Sequence, residues 1–117
     1  MQIVAKGNDM TKPWMKNYPE NVAHEVDLTR YSSLIDLFHK TTTKYNQNVA
    51  FSNFGADLTY KQVDELSRNF AAYLQNKLGV AKGERVALMC PNTLCFPIAM
   101  WGILRVGAVQ VNVNPLY

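Results

Sequence analysis

The residues best placed for chemistry lie in a short polar loop, Pro91-Asn92-Thr93, between two apolar segments. A loop that follows a buried strand is where α/β proteins commonly bind ligands. Asn92 or Thr93 can cap the helix that follows, and a helix N-terminus can hold an anion. Because the loop lacks the glycines that let a phosphate approach the backbone, we expect helix capping here rather than ligand binding.

Two cysteines flank this loop: Cys90 ends the apolar run before it, and Cys95 lies early in the apolar helix after it. Metal sites usually bring more ligands at recognisable spacings, and no second Cys or His pair lies nearby. We interpret both cysteines as reduced core residues of a cytosolic protein. His39 falls near the polar side of an earlier helix, where a lone histidine is expected at the surface.

The sequence offers no Ser/His/Asp set, no Walker-type G-x-x-x-x-G-K loop and no metal cluster from which to assemble a catalytic constellation. We therefore predict no catalytic, cofactor-binding or metal-ligating residue in this chain.

A strand, a helix and a second strand must position the loop. Arg85–Cys90 is an apolar run without alternation, which is typical of a strand covered on both faces. Leu94–Leu104 is a helix that is apolar nearly all round, and such a helix is normally buried. Gly107 suits the left-handed residue that ends a helix, and Val109–Val113 resumes a β pattern. This stretch therefore predicts one βαβ unit.

The elements before this unit are predicted from caps and periodicity. Ser33 and Asp36 have the spacing of a capping box, and the helix they begin should end near Asn46. A hairpin follows, with strands at Val49–Asn53 and Leu58–Tyr60. Thr59 and Gln62 form a second capping box, which begins the clearest helix. Its apolar stripe consists of Val63, Leu66, Phe70, Tyr73, Leu74 and Leu78, and Gly79 closes it.

Composition narrows the class of protein. The chain has 117 residues, is 48% hydrophobic and carries a formal charge of +3 from scattered Lys and Arg residues, which argues against a nucleic-acid partner. Its longest apolar run is far shorter than the roughly 20 residues of a membrane span. We divide it into an extended, partly disordered lead-in, residues 1–30, and an α/β portion, residues 31–117. In the lead-in, Trp14 and Tyr18 either pin the segment to the domain or form an interfacial foot.

The fold class predicted from these elements is α/β, a partial doubly wound unit in the order helix, β-hairpin, helix, strand, helix, strand. Because a parallel sheet normally continues with a further helix, we expect the chain to be the first part of a larger α/β enzyme.

Two long runs of this sequence resemble the N-terminal region of the adenylate-forming, AMP-binding superfamily. They are LTYKQVDELSRNFAAYLQNKLGVAKGERVALMCPN, residues 58–92, and GILRVGAVQVNVNPLY, residues 102–117. Further segments are similar to bacterial long-chain fatty acid–CoA ligases in particular: Pro13-Trp14, Tyr18-Pro19, 31–36 and 111–117.

The resemblance implies an acid–thiol ligase, in which ATP and Mg²⁺ activate a long-chain fatty acid as acyl-adenylate and coenzyme A then takes the acyl group. The family's catalytic and nucleotide-binding motifs lie downstream, so the chain alone is predicted to be an inactive scaffold. The resemblance also implies a cytoplasmic protein that forms homodimers, and it leaves open a peripheral association with the inner face of the membrane. Three alternatives stay open: another acyl- or aryl-CoA synthetase, a free-standing nucleotide-binding module, and a self-associating interaction module.

Overall fold

The computed structural model describes residues 12–116 and divides the chain into two units, one ending at Arg30 and the other beginning at Tyr31. Within the first unit, Pro13–Asn17 form a 3-10 helix, where the sequence predicted an extended segment. The proline at its start explains the difference, because its fixed φ suits a first helical position. Further on, Tyr18 and His24 meet edge to face with ring centroids 5.8 Å apart. Predictions for residues 1–11 lie outside the described residues.

The second unit contains three α-helices and four short strands in the described residues. Their order confirms the predicted α/β succession of helix, hairpin, helix, strand, helix and strand. The elements are α1 (Leu34–Lys44), β1 (Val49–Asn53), β2 (Ala56–Thr59), α2 (Tyr60–Asn76), β3 (Arg85–Leu88), α3 (Cys95–Val106) and β4 (Val109–Asn112).

Side-chain caps begin the first two helices as predicted. At α2, the Thr59 hydroxyl accepts from the Gln62 backbone at 3.2 Å, and the Gln62 side chain accepts from the Thr59 backbone at 2.8 Å. At α1, the Ser33 hydroxyl accepts from the Asp36 backbone at 3.0 Å, but the Asp36 carboxylate reaches Ser32 instead of Ser33. Both helices therefore start with satisfied backbone donors.

The hairpin turn is tighter than the sequence predicted. Phe54 and Gly55 alone connect β1 to β2, with φ values of 48° and 80°, so the second strand begins at Ala56 rather than Leu58. Positive φ at both central residues is the geometry of the turns that match strand twist in two-residue hairpins. Phe54 has a positive φ although it is not glycine, and bulky residues rarely adopt this conformation.

Strands β3 and β4 pair in parallel around α3, which confirms the βαβ unit. Arg85 lies opposite Val109 and Ala87 opposite Val111. Gly107 ends α3 in the left-handed conformation, with φ of 77°, as predicted. The prediction that β3 is covered on both faces was wrong within the described residues, because Arg85 and Ala87 are exposed.

The core lies where α2 crosses α3. Ile103 is 1% exposed and packs with Ala71, Leu74, Val106 and Ala108, while Val86 and Leu88 of β3 pack against this cluster. The prediction that α3 is buried all round was therefore wrong within the described residues. Its buried residues are Pro97, Gly102, Ile103 and Val106, whereas Cys95 is exposed. Pro97 falls in the first turn of α3, where a backbone N–H is not required.

The buried stripe of α2 differs from the predicted one because the helices approach closely. Leu66, Tyr73 and Leu78 are exposed, whereas the small residues Ser67 and Ala71 are buried beside Val63 and Leu74. A Cβ on Gly102 would lie 2.6 Å from the Phe70 ring and 3.1 Å from the Ser67 carbonyl oxygen. Small side chains face this crossing because larger ones would separate the helices.

A network of ion pairs and ring contacts joins the three helices beside this crossing. Asp64 pairs with both Arg68 and Arg105. The Arg105 Nε donates to the Ser67 hydroxyl at 3.2 Å, and its guanidinium lies over the Phe38 ring at 5.2 Å. Phe38 in turn stacks on Trp101 with centroids 3.9 Å apart. In α1, Phe38 and Thr42 are buried, while Leu34 and Tyr45 are exposed.

Candidate functional site

The polar loop before α3 does not cap the helix with a side chain. Leu94 occupies the position before the first helical residue, with helical φ and ψ of −60° and −21°, and makes no side-chain cap. The Thr93 carbonyl instead accepts from the Phe96 backbone at 3.0 Å, and the Thr93 backbone donates to the Pro91 carbonyl at 2.7 Å. The prediction that Asn92 or Thr93 caps α3 was therefore wrong.

The Thr93 hydroxyl is engaged elsewhere, which explains the missing cap. It lies 2.9 Å from the Cys95 Sγ, 3.8 Å from the Cys90 Sγ and 3.4 Å from the Pro91 carbonyl oxygen. The loop is also tied to the hairpin, because the Asn53 side-chain amide donates to the Asn92 carbonyl at 3.4 Å. The sequence could not predict that the Thr93 hydroxyl contacts the thiols instead of capping α3, because the thiols become its neighbours only when β3 and α3 are assembled.

The two thiols form a contact that the sequence analysis missed. Their Sγ atoms lie 2.8 Å apart, and both cysteines are free. Cys90 is half-buried and Cys95 is exposed, so the interpretation of both as core residues was wrong. The sequence feature that could have predicted this contact is that the two cysteines flank a short loop between a strand and a helix.

The contacts among Cys90, Thr93 and Cys95 shift the pKa values of the two thiols in opposite directions. Hydrogen bonds from Cys90 and then from Thr93 lower the pKa of the Cys95 thiol. The contact with Cys95 and then burial raise the pKa of the Cys90 thiol. Of the pair, Cys95 is therefore the more readily ionised and the more accessible, and thiolates are the reactive form of cysteine.

The loop also borders a cleft of about 260 Å³ between the hairpin and the start of α3. Its walls are largely apolar and carry no charged side chain, so they suit an apolar group rather than a phosphate. The lining residues are Phe51, Ser52, Asn53, Asn92, Thr93, Leu94, Phe96, Pro97 and Met100.

A second cleft, of about 350 Å³, lies over α1 and the first half of α2 and is polar. Its charges are mostly paired with one another: Lys61 lies 3.9 Å from Glu65, and Asp64 pairs with two arginines. His39 lines this cleft and is exposed, as expected. Among residues 12–116, no group of three His, Cys, Asp or Glu side chains is arranged to hold a metal ion. None of the described helices is both long and apolar enough to span a membrane.

The chain matches one protein-family model and is similar to several curated proteins. The family model described as AMP-binding enzyme matches residues 38–117. The chain is 53% identical over 108 residues to the long-chain-fatty-acid–CoA ligase of Yersinia pestis, covering 92% of this chain and 19% of that protein. It is 34% identical over 106 residues to the Bacillus subtilis ligase of the same name, again covering 19% of it. This chain thus spans about a fifth of the length of these curated relatives.

Solved structures agree with the fold. The N-terminal subdomain of Klebsiella oxytoca NpsA, in complex with 3-hydroxyanthranilyl-AMSN, matches with a TM-score of 0.73 and 26% identity, over 80% of this chain and 24% of that one. A benzoate CoA ligase from Burkholderia xenovorans matches with a TM-score of 0.65 and 30% identity, over 69% of this chain and 16% of that one. The fold is thus that of part of an adenylation enzyme's N-terminal subdomain.

Proposed function

This chain belongs to the AMP-binding enzyme family, and from that premise we propose that its protein is a long-chain fatty acid–CoA ligase. The activity would join a fatty acid to coenzyme A in two steps, through an acyl-adenylate made from ATP with release of pyrophosphate. We propose a cytoplasmic location for it, because both cysteines are free thiols, as is usual in a reducing compartment.

One observation carries this proposal: the 53% identity over 108 residues to a long-chain-fatty-acid–CoA ligase. Two structural neighbours, one in complex with 3-hydroxyanthranilyl-AMSN and one a benzoate CoA ligase, share only 26% and 30% identity with the chain. This difference supports a fatty acid over an aryl acid as the substrate.

The cleft beside the loop and the loop itself do not fit ATP, Mg²⁺ or coenzyme A. The cleft beside the loop lacks charged side chains, and its loop has no glycine through which a phosphate could reach the backbone. No catalytic step is therefore assigned to these residues. We propose that residues 31–117 are a scaffold portion of the AMP-binding domain and residues 1–30 a lead-in outside it. The family match, which begins at residue 38, supports this division.

The proposal is tested by ATP–pyrophosphate exchange with the whole protein, supplied with palmitate or oleate and, as matched controls, benzoate or anthranilate. We expect exchange with the fatty acids only, and an acyl-CoA product by mass spectrometry once coenzyme A is added. Residues 1–117 alone should support no exchange. A whole protein that activates benzoate but neither fatty acid would overturn the proposal.

We also propose that residues 1–117, expressed alone, self-associate through the sheet. Val109 and Val111 are 49% and 40% exposed, and both two-stranded sheets leave strand edges unpaired within the described residues. Sedimentation of the chain over a range of concentrations tests this, and a monomer at all of them would contradict it.

A peripheral contact with the membrane is proposed for the first unit, because Trp14 is 53% exposed and Tyr18 is also exposed. Aromatic side chains of this kind favour the interface between lipid and water. Co-sedimentation of the whole protein with vesicles should therefore fall when Trp14 is replaced by Ala, and equal binding by the variant would contradict the proposal.

A further inference from the structure

We propose that Cys90 and Cys95 form a redox-active dithiol site that a peroxide oxidises, reversibly, to a disulfide within the chain. The site is distinct from the proposed ligase chemistry, and its chemical partner is a small hydroperoxide such as hydrogen peroxide. The observations that carry it are the contact between the thiols, their unequal accessibility and the hydroxyl placed beside them.

The two sulfur atoms already lie near the separation that they have in the oxidised product. The two Sγ atoms lie 2.8 Å apart, whereas a disulfide bond is about 2.05 Å long, so less than about 1 Å of sulfur movement separates them. Cys95 opens α3, so one end of the bridge is held by regular structure, and Cys90 lies two residues beyond the end of β3. Oxidation would therefore close a bond without rearranging the core at Ile103.

Accessibility and hydrogen bonding assign a role to each thiol. Cys95 is exposed, lies in the first turn of α3 and has the Thr93 hydroxyl 2.9 Å from its sulfur. A hydroxyl donor and the N-terminus of a helix both stabilise a thiolate, which is the attacking species. Cys90 is half-buried and faces the Cys95 sulfur, which makes it the thiol that resolves the first product.

The chemistry balances in two steps. The Cys95 thiolate attacks one peroxide oxygen, so an S–O bond forms, the O–O bond breaks, and the leaving hydroxide takes up a proton to become water. Cys90 then loses its proton and attacks the Cys95 sulfenic sulfur, so the S–S bond forms and the S–O bond breaks, releasing a second water. The two thiols lose two electrons to the peroxide, and a dithiol reductant restores them.

The site adjoins the apolar cleft, because Thr93 both touches the Cys95 sulfur and lines that cleft. A disulfide between Cys90 and Cys95 would hold the loop in place, including the Asn92 carbonyl that binds Asn53 of the hairpin. Oxidation would thus reduce the freedom of one wall of the cleft.

The test treats the whole protein with hydrogen peroxide, alkylates the remaining thiols and maps the tryptic peptide 86–105, which contains both cysteines. We expect this peptide to be lighter by two hydrogens and unalkylated, and to be alkylated twice after treatment with dithiothreitol. A peptide that stays doubly alkylated after peroxide, or cysteines that bridge only between protein molecules, would overturn the proposal. Because the readout is a mass, it does not depend on ligase activity.

Two matched variants test the assigned roles. In Cys90→Ser, peroxide should leave a sulfenic acid at Cys95 that dimedone traps, with no disulfide. In Cys95→Ser, the Cys90 thiol should react with peroxide more slowly, on the order of tenfold. Dimedone labelling of Cys90 in Cys95→Ser at the rate of wild-type Cys95 would overturn the assignment. The wild-type mass measurement decides the central proposal even if a variant fails to fold.

Discussion

The crossing of α2 with α3 and the outer face of the β3–β4 pair both carry apolar side chains, yet only the crossing is closed. At the crossing, Ile103 is 1% exposed and the Arg105 guanidinium has an acid, a hydroxyl and a ring as neighbours. We call the other region the open sheet face, defined by Arg85, Ala87, Val109 and Val111, all of which are exposed.

This difference shows that apolar composition does not decide burial by itself. Burial stabilises in proportion to the apolar area removed from water, and among the described residues only the crossing supplies a partner surface. We therefore expect the stability of this chain to reside in the crossing. Substitutions should have large effects there and small effects on the open sheet face.

The largest expected effect comes from Ile103→Ala. The change removes buried methyl groups and leaves a cavity, so it should lower the free energy of unfolding by about 4 kcal/mol. In residues 1–117 kept dilute enough to be monomeric, the matched control, Val111→Ala, should cost no more than about 1 kcal/mol, mainly through the lower strand propensity of alanine. Urea unfolding followed by circular dichroism measures both. Equal losses would show that the open sheet face is covered in solution.

The next effect compares two arginines that bind the same carboxylate. Arg105 is 16% exposed and Arg68 is 63% exposed, and both pair with Asp64. Arg105→Met should cost about 2–3 kcal/mol, slightly below the value for a fully buried broken pair. Arg68→Met should cost less than about 1 kcal/mol, as is typical of surface pairs. If the two variants unfold at the same urea concentration, the Arg105 pair stabilises the chain no more than the exposed Arg68 pair does.

The smallest effect tests how closely the helices approach. In Gly102→Ala, the new methyl group meets Phe70 and the Ser67 carbonyl, but alanine also favours the helix. We expect a net loss of about 1 kcal/mol in the free energy of unfolding. In a Phe70→Ala background, most of that loss should disappear, because the 2.6 Å contact with the ring is gone. A loss that is unchanged in that background would rule out the contact as its cause.

Local signals in the sequence predicted the order of the elements and several of their ends. The Thr59–Gln62 capping box, the Ser33 cap and the left-handed Gly107 all appear as predicted, because each depends on residues within one turn. The succession of residue patterns also predicted the βαβ unit, which the parallel pairing of β3 and β4 confirms. For the candidate site, the sequence predicted the correct loop, but the predicted helix cap from Asn92 or Thr93 is absent and the Thr93 hydroxyl contacts Cys95 instead.

Which faces are buried and which side chains meet depends on how the elements assemble. The exposed Leu66 and the buried Ser67 of α2 reverse the order of their hydrophobicity, because a close helix crossing selects for size as well as apolarity. The contact between Cys90 and Cys95 arises because the pairing of β3 and the seating of α3 bring both ends of the loop together. Local hydrogen bonds and turn conformations are encoded by neighbouring residues, whereas packing depends on partners that are distant along the chain.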